Sequence, residues 1–448
     1  MKLGKTATCL CAWIVVLIAS MPTSASAQES AEYRHRVETV RRVPGFVALW
    51  DFVKRKDGRF AAYQAKGDRH DFTLDAMNYV QAYWNAGRPA TYEDFPLLGR
   101  GPFGQAIRIR RETDDNFRPM LLVPRGRLQD SGLDVKGPGK SVSVVVWLIR
   151  ESGNHAIVGI WDEGTDLQEA NSVVRRVERG KRQYALFAGL GANDGGVAAH
   201  LSENGAGSFG DKYARNLAVT PEVIPTVPAD SAPEVLDRSW STVGFTFNNK
   251  MHTLTAYLNG KASEMWVDNP EEDPFFKWVA KGWLQAKLHK TPGLQPGEDP
   301  AFPADQYYEP PENRPLSRTL VSDNAVERVE IQTFPFTRVR VTLRKHTSRS
   351  PDVVKRELIG LRVNPFWFSH DLYTPATPEQ GGPFTIGRVV HTSRAVGFTG
   401  YIGGVAVFSR ALTAAEMARL PKLGKHPLEF SGQPPNSEHL LDSQHTAK

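Results

Sequence analysis

Residues 398–420 read FTGYIGGVAVFSRALTAAEMARL. Up to Phe408 apolar side chains alternate with small ones, the period of a strand, and Gly400, Gly403 and Gly404 permit a close backbone bend. At Thr413 the pattern changes. Thr413 with Glu416 three residues on forms a capping box, and Met417 and Leu420 supply the buried side of a short helix. A glycine-bearing strand that runs straight into a capped helix is the feature around which the other segments arrange.

Those segments carry the same strand chemistry. GFVALWDFV (45–53) is apolar and aromatic, and FGQAIRIRR (103–111) alternates apolar with charged side chains, the mark of a strand with one wet face. SVSVVVWLIR (141–150) is β-branched and continuous, which predicts a buried central strand. HAIVGIWD (155–162) follows across the turn ESGN. RQYALFAGL and GGVAAHLS flank GANDG as a hairpin, and SWSTVGFTFNN and HTLTAYLNGK form another. PFTIGRVV (383–390) precedes the closing strand. Residues 31–44 read as a short amphipathic helix, and residues 54–100, without a clear period, as long loops.

Short strands separated by turn chemistry, without long helices, predict an all-β fold: a two-sheet antiparallel jelly-roll sandwich over 45–420. Between 262 and 382 the composition shifts to Pro, Trp, Tyr and charge, although VERVEIQTFPFTRVRVTL and RELIGLRVNPFWF are again strand-like. Sandwich strands lie on both sides, so this stretch reads as a large mixed insertion.

The chain ends read differently. Lys2 and Lys5, the apolar run 7–21 and the small residues Ala25 and Ala27 form a cleavable signal peptide over 1–27. The apolar run is shorter than the roughly 20 residues a membrane-spanning helix needs. Residues 28–44 form an N-terminal segment, and 421–448, polar and Pro-rich, read as disordered. The expected location is secreted, periplasmic or on the cell surface, with no membrane span after cleavage. Both cysteines, Cys9 and Cys11, lie in the leader, which excludes disulfides, thiolate nucleophiles and cysteine-bound zinc from the mature chain. The formal charge of +6 falls to +4 without Lys2 and Lys5, and Lys/Arg are dispersed among Asp/Glu, so nucleic acid is not an expected partner.

In this order the segments resemble the concanavalin A-like laminin G (LamG) jelly-roll family of exported bacterial proteins. ALWDF, GRGPFGQAIRI, SVSVVVWLI, WSTVGFTFN with LTAYLNGK, and FTGYIGGVAVFSRALTAAEM match its successive motifs. The resemblance spans about 45–420 apart from the insertion. It implies a jelly roll that recognises carbohydrate or an extracellular partner. Where the family carries an acidic pair after G-x-I, this chain has Gly403–Gly404, so the acidic groups that would serve calcium there are absent.

Catalysis on such a sandwich needs two carboxylates projecting from one strand face. The nearest candidate, WDEGTDLQE with Asp162, Glu163, Asp166 and Glu169, has the wrong spacing and is interrupted by a turn. No Gly-x-Ser-x-Gly elbow, His-Glu-x-x-His helix or phosphate loop is present. His200 reads as a packed or rim residue, and His370 beside Asp371 offers a base pair on a loop that adjacency in sequence does not orient into a dyad, so no catalytic residue is expected. Calcium requires several hard oxygen ligands; Asp51 and Asp194 are the candidates, and surface turns explain both as well. Sugar recognition calls for flat aromatic faces with polar partners. The insertion offers Trp266, Trp278, Trp283, Tyr307, Tyr308, Trp367 and Tyr373, which serve equally to stabilise a long insertion; Trp50, Trp147 and Trp240 read as core. The expected function is a non-catalytic, lectin-like module for carbohydrate or an extracellular or envelope partner. The alternatives are a polysaccharide hydrolase or lyase on the same sandwich and a structural surface component.

Overall fold

The computed structural model describes residues 24–154, 156–162, 181–189, 195–205, 216–288, 307–390 and 397–424, with backbone alone at 24–30. Two large antiparallel sheets face each other. The first contains, in spatial order, Phe366–Trp367, Thr253–Leu258, Ser241–Asn248, Val142–Ser152, Thr399–Phe408, Phe46–Trp50 and Tyr63–Gln64. Ile107–Ile109 pairs with the start of Thr399–Phe408. The second contains Leu217–Val223, Gly196–Leu201, Lys181–Phe187, Ala156–Asp162, Phe384–Ile386, Pro119–Val123 and Asp75–Asn78. Rings interleave between them: Trp50 stacks on Phe384 with centroids 5.2 Å apart, and Tyr184 meets Phe245 at 6.3 Å. The β-branched run 142–150 is central and buried, as its composition predicts, flanked by Ser241–Asn248 and the closing strand.

A third antiparallel sheet grows from the segment between Thr253–Leu258 and Phe384–Ile386. Its order is Met265–Asp268, Asp352–Asn364, Thr337–Arg344, Glu327–Thr333 and Ser317–Asp323. Helix Lys277–Leu288 lies against one of its faces. Val279, Ala280 and Trp283 of the helix and Val339, Val341, Leu358 and Leu361 of the sheet belong to the same apolar cluster as Val146 and Leu254 of the sandwich. The insertion therefore extends the sandwich core. Asn364 stitches the joint, accepting the Ala256 N–H at 2.9 Å and donating to the carbonyls of Ala256 and Ser263 at 3.1 and 2.8 Å. Glu312 ties the helix to the sheet. Its buried carboxylate accepts from Trp283 Nε1 (2.8 Å), Thr337 Oγ1 (2.6 Å), Arg356 Nη2 (3.1 Å) and Lys287 Nζ (3.1 Å).

The outer face of the first sheet is covered by both ends of the described chain. Helix Ser24–Arg41 starts earlier than the 31–44 read from sequence and packs Val37 and Val40 beside Phe46 and Leu49. Arg36, nearly fully buried, donates to the carbonyls of Pro102 (3.0 Å) and Leu423 (2.8 Å). Helix Ala414–Arg419 carries the capping box, with Glu416 N donating to Thr413 Oγ1 at 3.2 Å and Thr413 N to Glu416 Oε2 at 2.8 Å. Leu412, Met417 and Leu420 are buried in the same cluster.

Three expectations are corrected. Residues 54–100 are built from short strands and helix Tyr79–Trp84; Tyr63–Gln64 and Asp75–Asn78 take their partners from outside the stretch, and strands this short show no period of their own. Pro119–Val123, where no strand is expected, completes the second sheet; Pro119 is its first residue, where the missing N–H is tolerated. Trp240 is only partly buried. The expected signal peptide up to residue 23 and the tail from 425 lie outside the described residues. Among the described residues no helix is long and apolar enough to cross a membrane.

Candidate functional site

The aromatic candidates do not converge on one surface. Trp283, Tyr307 and Tyr308 are buried, at 1%, 8% and 5% exposure. Trp283 donates to Glu312, and Tyr308 packs against Phe366 and Trp367, so these rings are held in the insertion's packing. Trp278 and Trp367 are partly exposed; Lys281 Nζ sits 4.4 Å from the Trp278 ring centroid, and Trp367 lies on the edge strand of the first sheet. Trp266 stands apart, on the face of the third sheet turned away from helix Lys277–Leu288.

Register defines that face. Trp266 pairs with Arg362, Asp268 with Gly360, and Gly360 with Arg338. Val267 and Leu361, one residue out of phase, point the other way into the core. Along Thr337–Arg344 the outward residues are Arg338, Arg340, Thr342 and Arg344, opposite Thr333, Ile331, Val329 and Glu327. Arg338 lies flat across Gly360, where a Cβ would meet Arg338 Cβ at 3.1 Å, and its guanidinium carbon sits 4.2 Å from the Trp266 ring centroid. Trp266 Nε1 donates to Glu264, whose carboxylate also pairs with Arg362 at 3.3 Å. Arg338 contacts Asp268 at 3.6 Å and Lys355 contacts Glu357 at 2.9 Å. Arg340 and Arg344 are exposed, with no ion pair or hydrogen bond among the described residues. The result is an open platform: one aromatic–guanidinium stack beside a row of fork-shaped donors and threonine hydroxyls. The arginines of this row were legible as the period-two pattern TRVRVTLR; which face looks to solvent was not.

The other singled-out residues serve the fold. Asp51 Oδ1 accepts the N–H of Val53 (3.0 Å) and Lys54 (2.9 Å) in a tight turn, and burial pushes its carboxyl up despite these bonds. Among the described residues no group of three or more His, Cys, Asp or Glu is placed to hold a metal ion. Asp194, like Glu163, Asp166 and Glu169, lies outside the described residues. Asp162 is buried and accepts from Tyr83 Oη at 3.3 Å; burial, then the Asp162 carboxylate, pushes the Tyr83 hydroxyl up. His200 is buried between Trp161 and Phe187, each 5.1 Å away. Asp371 accepts from Asn249 Nδ2 at 2.9 Å and Gly139 N at 3.3 Å.

Two carboxylates do converge, at Asp71 and Asp75 on either side of Arg127. Burial disfavours ionisation of Asp71, but Thr73 and Lys56 outweigh it and hold the carboxyl at about 2. Asp75 is paired with Arg59 at 2.9 Å. A glycosidase needs one acid with a raised pKa opposite an ionised partner. This pair is a salt-bridge network.

No protein-family model matches the chain, and no curated protein matches it. Solved structures overlap it at low similarity. Domain 4 of a GH43 extracellular arabinanase from Geobacillus stearothermophilus, in complex with arabinotriose, is 9% identical, with 84% of this chain and 98% of that one covered, at a TM-score of 0.36. Botulinum neurotoxin type C, whose passage into cells depends upon interaction with two ganglioside molecules, is 8% identical over 87% of this chain at a TM-score of 0.33. The binding domain of botulinum neurotoxin DC, in complex with rat synaptotagmin II, is 8% identical over 84% of this chain at 0.32. The chain spans about half the length of these neurotoxin chains, 53% and 50%. Overlap at this level locates no ligand on this chain.

Proposed function

We propose that this protein is an exported, non-catalytic recognition module that binds carbohydrate on the outward face of its third sheet. One observation carries the reading: Trp266 and Arg338 stack on an open sheet face beside the unpaired guanidinium groups of Arg340 and Arg344 and the hydroxyls of Thr333 and Thr342. Sugar rings present C–H faces to such a platform and hydroxyls to its donors, which is the mixture of flat apolar contact and few placed polar groups that ligand sites use. The resemblance to LamG modules and the leader sequence support an extracellular recognition role, and neither names the sugar.

The test is a glycan panel presented to the purified chain, with and without calcium. Selective binding is expected. Trp266→Ala should weaken it roughly tenfold, the scale of one lost stacking contact with its donors, without altering the far-UV circular dichroism spectrum. Trp278→Ala, on the helix behind the sheet, should bind normally. Binding lost in Trp278→Ala but kept in Trp266→Ala would move the site off this face, and absence of binding to any glycan would sink the carbohydrate reading.

A further inference from the structure

The third sheet ends in an edge strand that no described residue covers. All seven residues of Ser317–Asp323 are exposed, and the strand is last in its sheet. Among the described residues, exposed large apolar side chains concentrate around this sheet: Leu316, Leu320, Val321, Val326, Val353 and Val354 are 44–72% exposed. An uncovered strand edge is a template for another strand, and natural sheets usually blunt it with charge at the centre or with proline. This edge does neither. Its sequence, SRTLVSD, places Leu320 and Val321 at the centre, Arg318 at one end and Asp323 at the other. The register shifts between Leu320 and Ser322, and Val321 between them is 53% exposed.

We propose that this strand pairs antiparallel with the same strand of a second copy, joining two third sheets across a two-fold axis. Antiparallel self-pairing brings the Arg318 end of each strand to the Asp323 end of the other and sets the apolar centres against each other. That self-complementarity is what an isologous contact requires. The symmetry axis of an antiparallel strand pair stands perpendicular to the sheet. Both outward faces, each with its Trp266–Arg338 stack, then lie on the same side of a ten-stranded surface, two sites able to engage one extended ligand.

Sedimentation equilibrium on the full chain, without glycan, tests the contact independently of the carbohydrate reading. A dimer is expected in the micromolar range. Arg318→Glu and Asp323→Arg should each weaken association roughly tenfold or more by setting like charges together at both ends of the pair. The two changes combined should restore it, although both variants also lose intrachain partners, Glu330 and Lys345. Val321→Lys should give a monomer with an unchanged far-UV spectrum. A chain that stays monomeric throughout the micromolar range would overturn the proposal. So would a dimer indifferent to all three single changes, or a double reversal no better than either single one.

Discussion

Gly403 and Gly404 sit where the closing strand bulges beneath a layer of rings. A Cβ on Gly403 would lie 2.5 Å from Pro102 Cδ and 2.8 Å from Trp240, and one on Gly404 would lie 2.5 Å from Phe103 and 3.2 Å from Trp147. Neither residue has a positive φ, so the requirement is close approach and not backbone conformation. Phe103 meets Trp147 edge-on at 4.9 Å, which leaves no room for a side chain beneath. An acidic pair here would force a carboxylate into an aromatic layer, and burying an uncompensated charge is prohibitive. Gly404→Ala is expected to lower the unfolding free energy by about 1–3 kcal/mol, the range for overpacking a filled core. Phe103→Ala in the same chain should recover part of that loss, since the two changes relieve one clash. Additive losses in denaturant titrations would show that the strain lies elsewhere. From sequence these glycines announce a bend; the rings that demand them come from residues more than 150 positions away.

At the scale of elements, the closing strand and its helix were legible because each carries a local signal, alternation and then a capping box. Arg410 adds what the local pattern lacks, since it pairs with both oxygens of Glu416. Those hydrogen bonds, opposed by burial and aided by the Thr413 N–H, hold the Glu416 carboxyl at about 2, below its ordinary 4.5. A carboxylate depressed in the folded state contributes stability above its unfolded pKa and loses it as the pH falls through the folded one. Glu416→Gln should therefore cost about 1–2 kcal/mol near neutral pH, after allowance for partial exposure. Its deficit relative to the parent should shrink between about pH 5 and 2. A deficit that stays constant with pH would mean that the cap acts by shape alone. Elements without a local signal were not legible. Asp75–Asn78 and Pro119–Val123 are strands because each supplies the other's partners, and Thr385 lies opposite Leu122 only once the chain has folded. The outward row Arg338, Arg340, Thr342 and Arg344 is an intermediate case: its period is written in the sequence, while its exposure depends on which side helix Lys277–Leu288 takes.

The whole molecule poses the question that composition raised and left open, whether the insertion is a second folding unit. The five strands of the third sheet carry eight Lys and Arg against six Asp and Glu, an excess of two, while the whole chain has a net +6. A separate charged sheet with its own helix looks like an appended domain, but its apolar side chains argue otherwise. Phe334, Val339, Leu361 and Val363 share one continuous cluster with Phe245, Phe366 and Val146, and Asn364 binds the backbone of both sheets at the joint. Removing the sheet would open the sandwich edge to water, and removing the sandwich would leave the sheet with little to bury. Cooperativity follows from that shared core. Glu312→Gln, placed in the insertion, unpairs Lys287 and Arg356 and weakens the bond from Trp283, a loss of about 2–4 kcal/mol. If the core is one unit, this loss lowers the denaturant midpoint of the entire chain in a single transition with an unchanged slope, seen alike by tryptophan fluorescence and far-UV circular dichroism. An early transition that releases only part of the signal, with the remainder unfolding where the parent does, would make the third sheet an autonomous unit.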